Sequence, residues 1–226
     1  MKKHKIFIAC DSSKINRVKK IIKNTNTKKI QIGYKFGFEF FYSNNGRKFI
    51  KSLKNKIIFL DLKLNDIPNT CLAAVNSIKD IKNIKYITVH INGGIKMLKA
   101  IKKNAGKIKV LGVTILTSLD NKALREIGYT KKIKDIVTMQ ANLARKARLD
   151  GIVCSAKEAP HLKKICKNME IVTPGVRLPG DQKGDQKRIT SPREAFNNGA
   201  TSIVIGRSIT KGSIIKNFNK LISHLN

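Results

Sequence analysis

Eight short apolar runs rich in Ile and Val recur along the chain, at residues 6–10, 30–36, 57–62, 86–91, 110–116, 151–154, 171–173 and 202–205. Between them lie Lys-rich segments whose apolar positions fall three or four apart, as with Ile15, Val18, Ile21 and Ile22, and again with Leu72, Val75, Ile78 and Ile81. That spacing lines one face of a helix. Strand alternating with helix, each crossover long enough to hold a helix, predicts a parallel sheet. Eight such units predict an α/β fold of the closed (β/α)8 TIM-barrel type rather than an open doubly wound sheet. The sixth unit is the least regular, because a long connection precedes it and its strand is short. No linker or low-complexity tract interrupts the series, so residues 1–226 read as a single barrel domain.

In a barrel, chemistry gathers where strands end and loops begin. The polar residues at those ends are Asp11, Lys35, Asp61 with Lys63, His90, Thr117 with Ser118, Ser155, the loop after Pro174, and Gly206 with Arg207. The densest stretch is FLDLKLNDIPNT at residues 59–70, where an apolar strand runs straight into Asp61, Lys63 and Asp66. Residues two apart on a strand share a face, so Asp61 and Lys63 are expected to point together into the barrel mouth. Pro68 suits the first turn of the following helix. A lysine between two carboxylates is held as an ammonium, a proton donor rather than a nucleophile. Lys35, ending the neighbouring strand, would extend the series to Lys, Asp, Lys, Asp. A purely structural ion pair is the competing reading, although a buried charged trio costs several kcal/mol unless it is well paired.

Charge and composition change this picture little. The chain carries 47 Lys and Arg against 14 Asp and Glu, a formal net charge of +33, which would ordinarily point to nucleic acid. Only nine of the basic residues are Arg, and the Lys excess accompanies many Ile and Asn and no Trp, the mark of a compositional bias. Pairs such as Lys19-Lys20, Lys102-Lys103 and Lys131-Lys132 lie dispersed beside candidate helices, without the aromatic interleaving that stacks bases. They read as solvated helix faces, whose field attracts phosphorylated metabolites, and no specific nucleic-acid partner is expected. The four cysteines are scattered without a C-x-x-C pair, and the four histidines lack ligand spacing, so neither a metal site nor a disulfide framework is expected. No apolar run reaches the roughly 18 residues of a membrane span, and the N-terminus turns polar too early for a signal peptide. A cytoplasmic protein with no membrane association is expected.

The residues now in view resemble the orotidine 5'-phosphate decarboxylase family. Asp61-x-Lys63-x-x-Asp66 followed by Ile67-Pro68-Asn69-Thr70 matches its signature. Tyr34-Lys35-Phe36-Gly37, Thr88-Val89-His90, the segments 113–118 and 151–155, Thr173-Pro174-Gly175-Val176-Arg177, Gly184-Asp185-Gln186-Lys187-Arg188 and Gly206-Arg207 resemble further parts of it, so the similarity runs from about Ile6 to Thr210. The resemblance implies conversion of orotidine 5'-phosphate to uridine 5'-phosphate (UMP) in pyrimidine biosynthesis, with no metal and no cofactor, in a homodimer with shared sites. By the same resemblance, Asp61 sits against the substrate carboxylate, Lys63 protonates the C6 carbanion, and Lys35 orders the charges and reaches the ribose. Asp66 and Thr70 would enter the partner's site. Arg177, Gly206 and Arg207 would meet the phosphate, Ser118 the pyrimidine edge, and Gln186 the phosphate side of a closing loop. Gln182, in the tandem repeat of Gly-Asp-Gln-Lys, competes with Gln186 for that place. Asp11 is expected at the ribose, with an N-cap of the following helix as the alternative. Two other functions stay open: a magnesium-dependent sugar-phosphate decarboxylase or aldolase of the same suprafamily, which residues 67–70 and 113–118 argue against, and a basic nucleic-acid-binding protein.

Overall fold

The computed structural model describes residues 4–181 and 189–225. Eight strands, β1 (Lys5–Ala9), β2 (Gln31–Phe36), β3 (Ile57–Leu64), β4 (Ile84–His90), β5 (Lys109–Val113), β6 (Gly151–Val153), β7 (Glu170–Val176) and β8 (Ser202–Ile205), close into a barrel in sequence order. Each is parallel to the next, and β8 returns to β1. The expected alternation of strand and helix is present: Ile15, Val18, Ile21 and Ile22 lie on the helix Ile15–Asn24, and Leu72 and Val75 on the helix Pro68–Ser77, which ends before Ile78 and Ile81. Pro68 occupies the first turn of its helix. The irregular sixth unit is also as expected: the three-residue β6 follows a connection carrying helices Asn121–Glu126 and Ile133–Lys146.

Three strands end more than one residue away from the ends of their apolar runs. β5 stops at Val113, three residues short, whereas β3 continues to Leu64 and β7 to Val176. Both extensions contain a register shift, opposite β4 for β3 and opposite β8 for β7. In β7 the shift is made by Gly175 at φ +73°, a left-handed conformation that a glycine adopts without strain.

The barrel interior is layered, as is usual for this fold. Its middle is apolar: Phe7, Phe59, Tyr86, Leu111, Val172 and Val204 pack together, with Phe7 set edge-on to Phe59 and to Tyr86 at centroid distances of 5.0 and 5.1 Å. Gly33 makes room, because a Cβ there would lie 2.7 Å from the Phe7 ring. At the N-terminal end of the barrel a polar layer closes the floor. The Glu170 carboxylate accepts from Lys5 at 3.1 Å and pairs with Lys109, and the Tyr86 hydroxyl accepts from Lys5 at 2.7 Å and donates to Glu170 at 3.2 Å. Burial, reinforced by the Glu170 charge, pushes the Tyr86 phenol up to about 12, so it stays a neutral donor. This floor leaves the opposite end, where the strands terminate, as the open face of the barrel.

Candidate active site

At that face lies a cavity of about 470 Å³, within the range of small-ligand pockets. Asp11, Lys35, Asp61 and Lys63 line one side, and Ser118, Arg177, Gly206 and Arg207 line the rest, with Val113, Ile115, Val153 and Pro174 supplying apolar wall. Eight of the eleven residues expected from the sequence therefore converge. Asp66 and Thr70 do not line this cavity: both are exposed, and the Asp66 carboxylate accepts from the Ile67 backbone N–H at 2.6 Å. Gln186, like its competitor Gln182, lies outside the described residues.

The charged side is a chain of alternating sign. Asp11 Oδ1 is 3.1 Å from Lys35 Nζ, Lys35 Nζ is 3.4 Å from Asp61 Oδ2, and Asp61 Oδ1 is 2.9 Å from Lys63 Nζ. The order departs from the expected one. Asp11 opens the series, and within the described chain Lys63 pairs with Asp61 and not with Asp66, whose side chain is turned back onto its own loop. Asp11 does not cap the first helix either: Lys14 holds that position without a side-chain cap. The route by which Lys63 reaches the cavity also differs from simple alternation, because Lys63 sits at φ +42° within the β3 irregularity.

Electrostatics fixes the two middle members of this chain, Lys35 and Asp61, as charged. Burial would push the Asp61 carboxyl up, but the ammonium groups of Lys35 and Lys63, with hydrogen bonds from Lys63 and from the Thr88 hydroxyl, hold it below its ordinary value. For Lys35 burial pulls the amine down, and Asp61 and Asp11 more than restore it, leaving it above its ordinary value. A lowered carboxylate stabilises the fold above its unfolded pKa and loses that contribution as pH falls through the folded one; a raised lysine contributes below its unfolded pKa and loses that as pH rises through the folded one. The thermal midpoint is therefore expected to be level across neutral pH, falling below the usual carboxylate range and above the usual lysine range. Both limbs should be shallower in a Lys35→Met, Asp61→Asn double variant, as differential scanning calorimetry across pH would show.

Two neighbours of this chain had no place among the sequence candidates. Phe38, half exposed, lies beneath the Lys63 ammonium with 5.7 Å between Nζ and the ring centroid, a cation–π distance. Thr88 is fully buried and touches both Asp61 and the Lys63 backbone. Thr88 stood in the sequence only within the segment Thr88-Val89-His90, without a role of its own; on β4 it shares the inward face with Tyr86 and His90. His90, one of the polar residues at the strand ends, is half buried at the end of β4, where burial and the Lys63 charge lower its pKa.

Across the cavity the groups are cationic. The buried Arg177 is anchored through its Nη1 donating to the Val176 carbonyl at 3.0 Å, and Arg207 begins the short turn Arg207–Thr210 directly after Gly206. The site thus pairs an acid–base chain at one end with two guanidinium groups near the β7 and β8 ends, where barrels of this type commonly bind phosphate.

A closed barrel with an acid–base mouth defines a (β/α)8 enzyme. Its chain belongs to the family described as "Orotidine 5'-phosphate decarboxylase / HUMPS family", whose model matches residues 4–213. It is 43% identical over 223 residues to an orotidine 5'-phosphate decarboxylase of Wolbachia sp. subsp. Brugia malayi (strain TRS), with 96% of each chain covered. Among solved structures, orotidine 5'-phosphate decarboxylase from Lactobacillus acidophilus matches at a TM-score of 0.83 and 30% identity over 99% of each chain. The orotidine 5'-monophosphate decarboxylase of Methanocaldococcus jannaschii, complexed with the inhibitor BMP, shares the fold at a TM-score of 0.78 and 23% identity, again over 99% of each chain.

Proposed function

We propose that the protein converts orotidine 5'-phosphate to UMP in the cytoplasm using only its own side chains, with Lys63 supplying the proton. The observation that carries this reading is the Asp61 carboxylate, whose two oxygens are each matched to an ammonium group at the mouth of a cavity whose far side is cationic. Family membership and the relatives' names support the substrate. The phosphate binds toward Arg207 and Arg177, with the Gly206 backbone beside them, and the ribose lies near Asp11 and Lys35. The pyrimidine rests against Ser118 and the apolar wall, bringing C6 and its carboxylate to Asp61 and Lys63.

Cleavage of the bond from C6 to the carboxylate leaves the electron pair on C6, in an orbital that the ring cannot delocalise. The Lys63 ammonium interacts with that carbanion far more strongly than with the starting ring, which is the differential binding catalysis requires. Its proton then moves to C6, giving UMP and carbon dioxide, and the lysine is reprotonated from water. Repulsion between Asp61 and the substrate carboxylate is a smaller contribution. A magnesium-dependent sugar-phosphate reaction fits less well, because residues 67–70 and 113–118 match the decarboxylase segments instead.

Asp66 and Thr70 belong in this reading to the site of a second subunit, which agrees with their exposure outside their own cavity. Subunit mixing tests it. Lys63→Ala and Asp66→Asn homodimers should each be nearly inactive, and their equimolar mixture after subunit exchange should regain about a quarter of the wild-type activity, since half the dimers then hold one intact site. A mixture no more active than its parents would contradict a shared site. The residual +33 charge serves as a field that attracts phosphorylated ligands, with no specific nucleic-acid partner.

A further inference from the structure

Between the register pairs Leu60 with Ile87 and Leu64 with Val89, β3 contributes Asp61, Leu62 and Lys63 while β4 contributes Thr88 alone. Two extra residues on one strand cannot be accommodated by the regular ladder, so the backbone groups there need other partners. Lys63, at φ +42°, turns its N–H to Thr88 Oγ1 at 2.9 Å. Thr88 Oγ1 lies 3.0 Å from Asp61 Oδ1. A hydroxyl has one proton and two lone pairs. The amide must donate and the ionised carboxylate must accept, so the hydroxyl proton points at Asp61. One fully buried side chain thereby ties the carboxylate of Asp61 to the backbone of Lys63.

We propose that Thr88 is a positioning residue for the decarboxylation, its hydroxyl holding the β3 bulge that presents Asp61 and Lys63 together to the substrate. Valine has the same shape without the hydroxyl, and would leave the Lys63 N–H without this partner and the Asp61 carboxylate held by Lys35 and Lys63 alone. Serine retains both hydrogen bonds. The proposal rests on the decarboxylase reading above.

The test compares Thr88→Val and Thr88→Ser with wild type, with Thr88→Ala, which removes the hydroxyl without adding bulk, as the second variant should valine not fold. Thr88→Val is expected to lower kcat by about ten- to a hundredfold, the range for a misplaced catalytic group, with KM changed by less than about threefold because phosphate and ribose contacts lie elsewhere. Thr88→Ser is expected to restore kcat. A second readout needs no turnover: carbon NMR of labelled aspartate follows the Asp61 titration. Asp61 is faced by Lys35 from β2, by Lys63 from β3, by His90 from β4, and by Asp11 after β1 through Lys35. Losing a hydrogen bond to the ionised carboxylate, with those charges unchanged, moves its midpoint to higher pH, and serine should return it. An unmoved midpoint, full kcat in Thr88→Val, or a loss confined to KM would each overturn the role of Thr88. Wild-type enzyme that did not turn over, with the midpoint moved as expected, would overturn the decarboxylase reading and leave the hydroxyl's hold on Asp61 established.

Discussion

Replacing Lys63 by alanine is expected to lower kcat by about ten-thousandfold or more while leaving the barrel folded. The side chain acts twice on one atom. As a fixed cation against the developing carbanion, such a group supplies about 10²–10³ in rate, and as the proton source it supplies about 10²–10⁴. Because both come from the same ammonium the contributions overlap, which is why the expectation is set at the low end of their product. The fold should tolerate the change: the side chain is partly exposed, and Asp61 keeps Lys35 as a partner at 3.4 Å. The variant should therefore bind UMP within a few-fold of wild type by calorimetry. A variant within tenfold of the wild-type kcat would refute the role of Lys63.

Asp61→Asn should produce the second-largest effect, and on stability as well as rate. Asp61 is the common partner of two ammonium groups, one of them on the buried Lys35. Neutralising it leaves Lys35 with Asp11 alone, whose side chain is more than half exposed. Stripping one partner from a buried pair costs about 3–5 kcal/mol; since this one opens onto a hydrated cavity, about 2–3 kcal/mol is expected, lowering the thermal midpoint by about 5–10 °C for a chain of this size. Turnover should fall by about a hundredfold or more. Removing both partners is less costly than removing one, so Lys35→Met added to Asp61→Asn should recover part of the lost stability without recovering rate. An Asp61→Asn protein that melts with wild type would place the carboxylate outside any buried charge chain.

The barrel and most of its mouth were legible in the sequence for a specific reason. Strands buried on both faces read as unbroken apolar runs, so the polar residues that end them, Asp11, Lys35, Asp61, Lys63, Ser118 and Arg207, stand out one after another. What escaped was produced by long-range register. Strand alternation cannot reveal that β3 carries two extra residues opposite Thr88, and a threonine in a strand looks like ordinary β-propensity. The order of the charge chain escaped for a similar reason: Asp66 is near Lys63 in sequence, but its loop turns it back to the Ile67 N–H, and Asp11 from another strand joins Lys35 instead. The floor of the barrel, where Glu170 meets Lys5 across 165 positions and Tyr86 across 84, had no local signature at all.

The most direct test of the account is turnover of orotidine 5'-phosphate by purified protein stripped with a chelator, followed by loss of substrate absorbance and identification of the product. The account predicts undiminished conversion to UMP and carbon dioxide in the continued presence of chelator. Absent turnover, or turnover that returns only with added magnesium, would contradict it.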